Sequence, residues 1–462
     1  MIHLALFAFV LGVCSHPLED HGSSSPGGIP VKLSVKRIVA RADNLTSNVV
    51  DAGSAKWEAQ RVLNKYALAS QFLQGIGLNP NAHPETGYPI FNDTAAWLNY
   101  TSSHGPTRNV TRLLSTDAVD DSTLTPGIPG LTTMPMTDYN AAGYDMLYYG
   151  PLQFGTPGQA LTVDVDTGSA DLWVPSNCGT CTLPQYKTKS SSTYKSTGHK
   201  FTANYGIGQA GGKIVHDVVS MKTLRVQNQA FGAVNYESDN FYEYPNSGLM
   251  GLAFGVISTI GQPTFFENIL KSQQLEFALF GIHLTRNQVD GSEVCFGCID
   301  FTKTADRVAW FPLKSKTYWT IAMDGIASDA DHFHSAELIA AIDTGTSMVY
   351  LPDDVTTNFY AMIPDSRSAE MEYGAGYYVF PCSAKLSISL SFSGQKFEIR
   401  TDDFNMGPIL NNGEECLGGI VSLGDGFPSN LAIIGDIFLK SWYSVYDYTG
   451  ARVGLAPSVN NT

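Results

Sequence analysis

From Trp57 to Leu78 the chain carries apolar residues at helical spacing. Trp57, Val62, Leu63, Leu68, Phe72 and Leu73 fall on one broad face, which predicts an amphipathic helix. A polar, Pro-containing region follows to about Pro129. From about Thr137 the pattern changes to short β-type runs separated by Gly-rich turns. The run Tyr144 to Pro157 reads as two strands and a turn. Helical spacing returns only at Thr264 to Gln273 and at Pro352 to Ile363. This predicts an all-β architecture of two lobes, with the lobe boundary near Phe301 to Val308.

The β-rich region contains the same device twice. Asp166-Thr167-Gly168-Ser169 follows the apolar run Leu161 to Val165, and Asp343-Thr344-Gly345-Thr346 follows Ala340 to Ile342. Each is a strand-to-loop transition that presents a carboxylate beside a hydroxyl residue. The echo continues downstream. Gly251, in Gly248-Leu249-Met250-Gly251, lies 85 residues after Asp166. Gly435, in Ile433-Ile434-Gly435, lies 92 residues after Asp343. This is the signature of a duplicated lobe, with one aspartate from each half meeting at the junction. Two carboxylates so presented share a proton, because like charges a few ångströms apart do not both ionise cheaply.

These segments resemble the pepsin family of aspartic proteases. Asp166 to Pro175 is similar to the family's first active-site segment, and Ala341 to Pro352 to its second. Ile434-Gly-Asp436-Ile-Phe438 and Val453-Gly-Leu-Ala-Pro457 resemble its C-terminal end. The wording Asp-Thr-Gly-Ser-Ala-Asp-Leu-Trp is similar to secreted fungal members. The resemblance runs from about Tyr139 to Pro457. It implies a bilobal, pepsin-like fold with the active site between pseudo-symmetric lobes, at residues 136–305 and 306–462. It also implies peptide-bond hydrolysis at acid pH by a water activated between Asp166 and Asp343, with no cofactor and no metal. Thr167 and Thr344 would bind across the junction, Ser169 and Thr346 would hydrogen-bond the outer carboxylate oxygens, and Gly168 and Gly345 would permit close approach. Tyr205, with Gly206 and Ile207, would form a flap over substrate, and Trp173 would hold that tyrosine. Leu249 would line the pocket before the cleaved bond. By strand alternation Asp164 shares a side with Asp166, so it would border that pocket and accept Lys or Arg.

Composition refines this picture. Charged residues are 15% of the 462-residue chain and the formal net charge is −15. Nine basic and ten acidic residues precede residue 135, which leaves nineteen and thirty-three after it. That acidic surface repels nucleic acid and suits acidic media. Residues 1–15 read as a signal peptide rather than a membrane span, and the C-terminal end has no tail for a lipid anchor. Residues 16–135 hold a basic run, Lys32 to Arg41, and the glycosylation sequons Asn44, Asn92, Asn99 and Asn109. They read as a propeptide that inhibits the body intramolecularly, with the basic run docked on it. The expected protein is a monomeric zymogen of the secretory pathway, extracellular or vacuolar, acting on polypeptides.

Removing Cys14 with the signal peptide leaves six cysteines, which suits an oxidising compartment. By the resemblance Cys178 pairs with Cys181 and Cys382 with Cys416. Cys295 and Cys298 then pair by elimination. A zinc site built from the two Cys-x-x-Cys knuckles is the competing reading. Gly206-Ile-Gly208-Gln-Ala-Gly211 has dinucleotide-loop spacing, but β-like sequence follows it, so it reads as a hairpin tip. Two other functions use the same features: a catalytically silent binding relative, and a retaining glycosidase with paired carboxylates. Intact triplets weigh against the first and the matched loops against the second.

Overall fold

The computed structural model describes residues 49–75, 86–88, 132–141, 144–205, 208–237, 244–410 and 413–461. The leader, the basic run Lys32 to Arg41, the four sequons, Gly206 and Ile207, and the side chains of Trp57 and Tyr205 lie outside that set.

Strands dominate the regular structure of the described residues and form three sheets. The largest has thirteen strands, running from Ala309–Pro312 at one edge to Lys195–Tyr205 at the other. An eight-stranded sheet carries the second half, and a four-stranded sheet of Arg367–Ser368, Tyr378–Pro381, Glu415–Gly418 and Asn405–Pro408 packs beside it. This is a bilobal, pepsin-like fold. The connection at Phe301–Lys303 is a 3-10 turn. However, the second-half strands Ala309–Pro312, Arg452–Pro457 and Trp442–Asp447 form one edge of the sheet that holds the first-half strands, so the halves share one sheet there.

Both halves repeat one local topology. Gln159–Asp166 runs parallel to Gly248–Gly251, with Asp166 opposite Gly251, and Leu172–Pro175 returns antiparallel on the other side. Likewise Phe333–Ile342 runs parallel to Leu431–Ile434, and Val349–Leu351 returns against it. The threaded strand explains the spaced glycines. A Cβ on Gly251 would stand 2.6 Å from the Ala170 backbone, and one on Gly435 would stand 2.1 Å from Thr346 O. Only glycine lets each Asp loop fold over its strand.

Several elements differ from expectation. Tyr144–Phe154 is one strand, not two. Gly150-Pro151 looks like a turn, but the strand's first half pairs with Thr132–Ala141 and its second half with Gln159–Asp166. The Thr132–Ala141 pairing ends at Tyr149, so Pro151 has no ladder bond to lose there. The helix expected over 57–78 begins earlier and is broken: α1 is Ala52–Lys65 and α2 is Ala69–Gly75. Asp51 caps α1, accepting from Ser54 N–H at 2.7 Å. Val62 is buried, Leu63, Phe72 and Leu73 are half-buried, and Leu68 at the break is 51% exposed. The two later helices are Phe265–Lys271, with a capping box between Thr264 and Glu267, and Asp353–Ala361. Disulfides join Cys178 to Cys181, Cys295 to Cys298 and Cys382 to Cys416.

Candidate active site

The two Asp loops meet with near-symmetric hydrogen bonding. Gly168 N–H donates to Asp166 Oδ1 at 2.8 Å, and the Ser169 hydroxyl to Oδ2 at 2.6 Å. Gly345 N–H donates to Asp343 Oδ1 at 2.9 Å, and the Thr346 hydroxyl to Oδ2 at 2.5 Å. The threonines cross the junction. Thr167 donates its hydroxyl to Ile342 O at 2.9 Å, and Thr344 donates its own to Val165 O at 2.7 Å. Each also receives the other's backbone N–H, at 3.2 and 3.0 Å. Each glycine lies against the opposite aspartate. A Cβ on Gly168 would stand 2.4 Å from Asp343 Oδ1, and one on Gly345 would stand 2.2 Å from Asp166 Oδ1.

Helix α1 fills the space in front of these carboxylates. Lys65 Nζ lies 3.0 Å from Asp166 Oδ1 and 2.7 Å from Asp343 Oδ2, and donates to Gly345 O at 3.0 Å. The Tyr66 hydroxyl donates to Asp343 Oδ2 at 3.1 Å, and its ring stacks on Tyr318 with centroids 4.7 Å apart. One helical turn earlier, Arg61 donates to Gly345 O at 2.5 Å and reaches Asp164 Oδ2 at 3.4 Å. Glu58 accepts from Ser347 N–H at 2.7 Å and pairs with Arg61 at 3.2 Å. The entry to α1 is tied down as well: Val50 N–H donates to Pro408 O, and Tyr373 and Tyr377 donate to Val50 O and Ala55 O.

These groups are buried, so electrostatics decide the arrangement. Burial opposes the Lys65 charge, but the two carboxylates more than offset it and raise its pKa. Burial likewise works against ionised Asp343. The Lys65 ammonium, with hydrogen bonds from Lys65 and Thr346, overrides burial and holds that carboxyl at about 2. Asp166 is pushed up, by burial and by the Asp343 charge, against the pull of Lys65. Asp164 is pushed up to about 7, mainly by burial, despite Arg61. With Lys65 docked, the two carboxylates at the junction are thus driven apart in acidity.

A small cavity opens beside Asp166, bounded by Arg61, Lys65, Asp164, Trp173, Glu237 and Leu249. Asp164, Trp173 and Leu249 therefore come together with Asp166. Trp173 and Leu249 sit in a small apolar cluster with Phe201 and Ile260. The residues expected to form a flap, Gly206, Ile207 and the Tyr205 side chain, fall outside the described residues. Glu58, Arg61, Lys65, Tyr66 and Tyr318 carry no motif that marks them in the sequence. A weaker signal existed: 58, 61 and 65 recur at helical spacing beside the buried Ala55, Val62 and Tyr66.

A family model for eukaryotic aspartyl proteases matches residues 147–458. An aspartic protease of Phaffia rhodozyma is 36% identical over 325 residues, covering 69% of this chain and 78% of that one. A vacuolar aspartic protease of Candida albicans is 30% identical over 447 residues, covering 93% and 100%. Pepsin A of Suncus murinus is 32% identical over 339 residues, covering 71% and 84%.

Proposed function

The chain belongs to the eukaryotic aspartyl protease family, peptide-bond hydrolases of pepsin type, and on that premise we propose that it is an acid endopeptidase made as a self-inhibited precursor. Asp166 and Asp343 are the catalytic pair in this reading. The observation that carries it is one cation, Lys65, bridging two carboxylates that matched loops bring to the same point.

With α1 in place no peptide reaches the carboxylates. With α1 gone, the pair loses its ammonium partner, and the like charges share a proton instead. One carboxylate then takes a proton from a water as that water attacks the peptide carbonyl. The other supplies a proton, and the tetrahedral species collapses with the amine leaving. Ser169 and Thr346 hold the outer oxygens, so the carboxylates keep their mutual orientation through the cycle. Thr167 and Thr344 tie each loop to the strand of the other half.

The inhibitory segment comprises the residues before the strand Thr132–Ala141, and Lys65 and Arg61 of α1 supply its inhibitory contacts. Secretory entry, with an extracellular or vacuolar destination, is supported by the apolar run at residues 1–15 and by the cysteine pairing. Polypeptides are the substrates, and Tyr205, Gly206 and Ile207 form the flap.

Acidifying the purified full-length protein tests this reading. It should shorten, gain activity on a denatured protein, ignore polysaccharide, and lose activity to a statine-type inhibitor. A full-length chain equally active at neutral pH without processing would contradict it.

A further inference from the structure

A second attachment lies outside the site. Thr86-Gly87-Tyr88 packs against the turn after the helix Phe265–Lys271 and against Thr449. The Thr86 and Thr449 hydroxyls are 2.7 Å apart, and Gln273 Nε2 donates to Thr86 O at 2.6 Å. The Tyr88 hydroxyl donates to Leu275 O at 3.1 Å and accepts from Leu275 N–H at 3.3 Å. The Tyr88 side chain is only 9% exposed and joins the main core.

This pocket is fitted to a tyrosine. One residue's backbone satisfies both the donor and the acceptor capacity of the hydroxyl, which a phenylalanine would leave unmet. Gly87 has φ 72°, so the segment makes its turn where glycine is favoured. The active-site helices end at Gly75, and the attachment begins at Thr86. Two weak contacts joined by so short a linker act at an effective concentration of about millimolar, so each reinforces the other.

We propose that the surface formed by Gln273, Leu275 and Thr449 is a docking site for residues 86–88, and that it keeps the propeptide bound after the chain is cut between Tyr88 and Thr132. The proposal rests on the reading of this region as a propeptide. A cut in that interval leaves both attachments on one fragment. The severed fragment is then a separable inhibitor, released slowly, rather than a segment lost at the moment of cleavage.

The test places a recognition sequence for a site-specific protease within residues 113–125 and cuts the full chain at neutral pH. Fragment retention is read by gel filtration, and release after dilution by mass spectrometry, so the result does not depend on peptidase activity. The wild-type fragment should co-elute with the body. Tyr88→Phe should release it about tenfold faster, and Tyr88→Ala about a hundredfold faster. Thr449→Val should release it severalfold faster from the body's side. If Tyr88→Ala fails to fold, Tyr88→Phe and Thr449→Val, which remove only hydroxyl contacts, still decide. Equal release rates in all variants, or a wild-type fragment that separates at once, would overturn the proposal. Retained fragment with no peptidase activity at any pH would instead fault the enzymatic reading.

Discussion

Lys65 Nζ lies 2.7 Å from Asp343 Oδ2, and both side chains are almost wholly buried. Breaking such a pair from one side leaves an uncompensated charge, at a cost of about 3–5 kcal/mol. Lys65→Met should therefore loosen α1 even though the methionine fits the space. The precursor should cleave a quenched peptide at a higher pH than wild type and before any shortening is visible. Activity that appears only together with shortening, as in wild type, would remove Lys65 from the inhibitory role.

The pH dependence follows from the sign of the Asp343 shift. Docking holds its pKa below the ordinary 3.8, at about 2. At Asp343 the docked state therefore binds fewer protons than the free one, whereas at Asp166, whose pKa is raised, it binds more. The Asp343 contribution to docking is complete above about pH 4 and is lost as pH falls toward 2. Hydrogen exchange should report steady protection of the α1 amides from pH 7 to 5 and falling protection below 4. Protection flat to pH 2.5 would show that this pair does not govern release. Asp164 behaves oppositely. Its raised pKa means that protonation, as pH falls through about 7, favours the buried state while leaving Arg61 to its pairing with Glu58.

Asp164 also bears on specificity. It lines the cavity beside Asp166, and there it faces a guanidinium, that of Arg61. Once α1 leaves, that place is open to a substrate cation. The departure of α1 exposes that carboxyl to water and relieves the burial that raises its pKa, so in a peptide library Asp164→Val should lower cleavage after Lys relative to Phe by about tenfold, the scale of one charge-assisted contact. An unchanged ratio would show that Asp164 serves only the scaffold.

The processing site is bounded by pairing. Thr132 to Met136 pair with Phe296 to Ser292, and Thr137 onward with Tyr149. Removing them would strip a strand from the middle of the largest sheet and expose two edges. The mature N-terminus should lie between Leu113 and Thr132. Edman sequencing of the acid-converted protein checks this, and a start beyond Met136 would contradict it.

The Asp loops were legible because each of their residues answers a local demand. The triplet needs a glycine against the opposite carboxylate, and the threaded strand needs one under the loop, so the pattern repeats wherever the topology does. The contact of α1 with the aspartates was not legible. Glu58, Arg61 and Lys65 look like the solvated face of an amphipathic helix. Their partners lie far along the chain: Lys65 is 101 residues from Asp166, and Tyr66 is 277 from Asp343. Charge alone favours the basic run Lys32 to Arg41 as the docking element, and that run is outside the described residues. The run Tyr144 to Pro157 misled for a related reason. A turn-forming dipeptide also suits a strand that changes partners, and only the register separates the two.

The central claim is that Asp166 and Asp343 together carry the hydrolysis. The most direct measurement is kcat/KM on a quenched peptide for acid-converted wild type, Asp166→Asn and Asp343→Asn. The variants should be converted by an added protease, with folding checked by thermal unfolding. Each single variant should fall at least about 100- to 10,000-fold, because the amide neither accepts nor supplies the required proton. The double variant should fall little further, because the pair acts as a unit. A folded single variant that keeps activity within a fewfold of wild type would contradict the account.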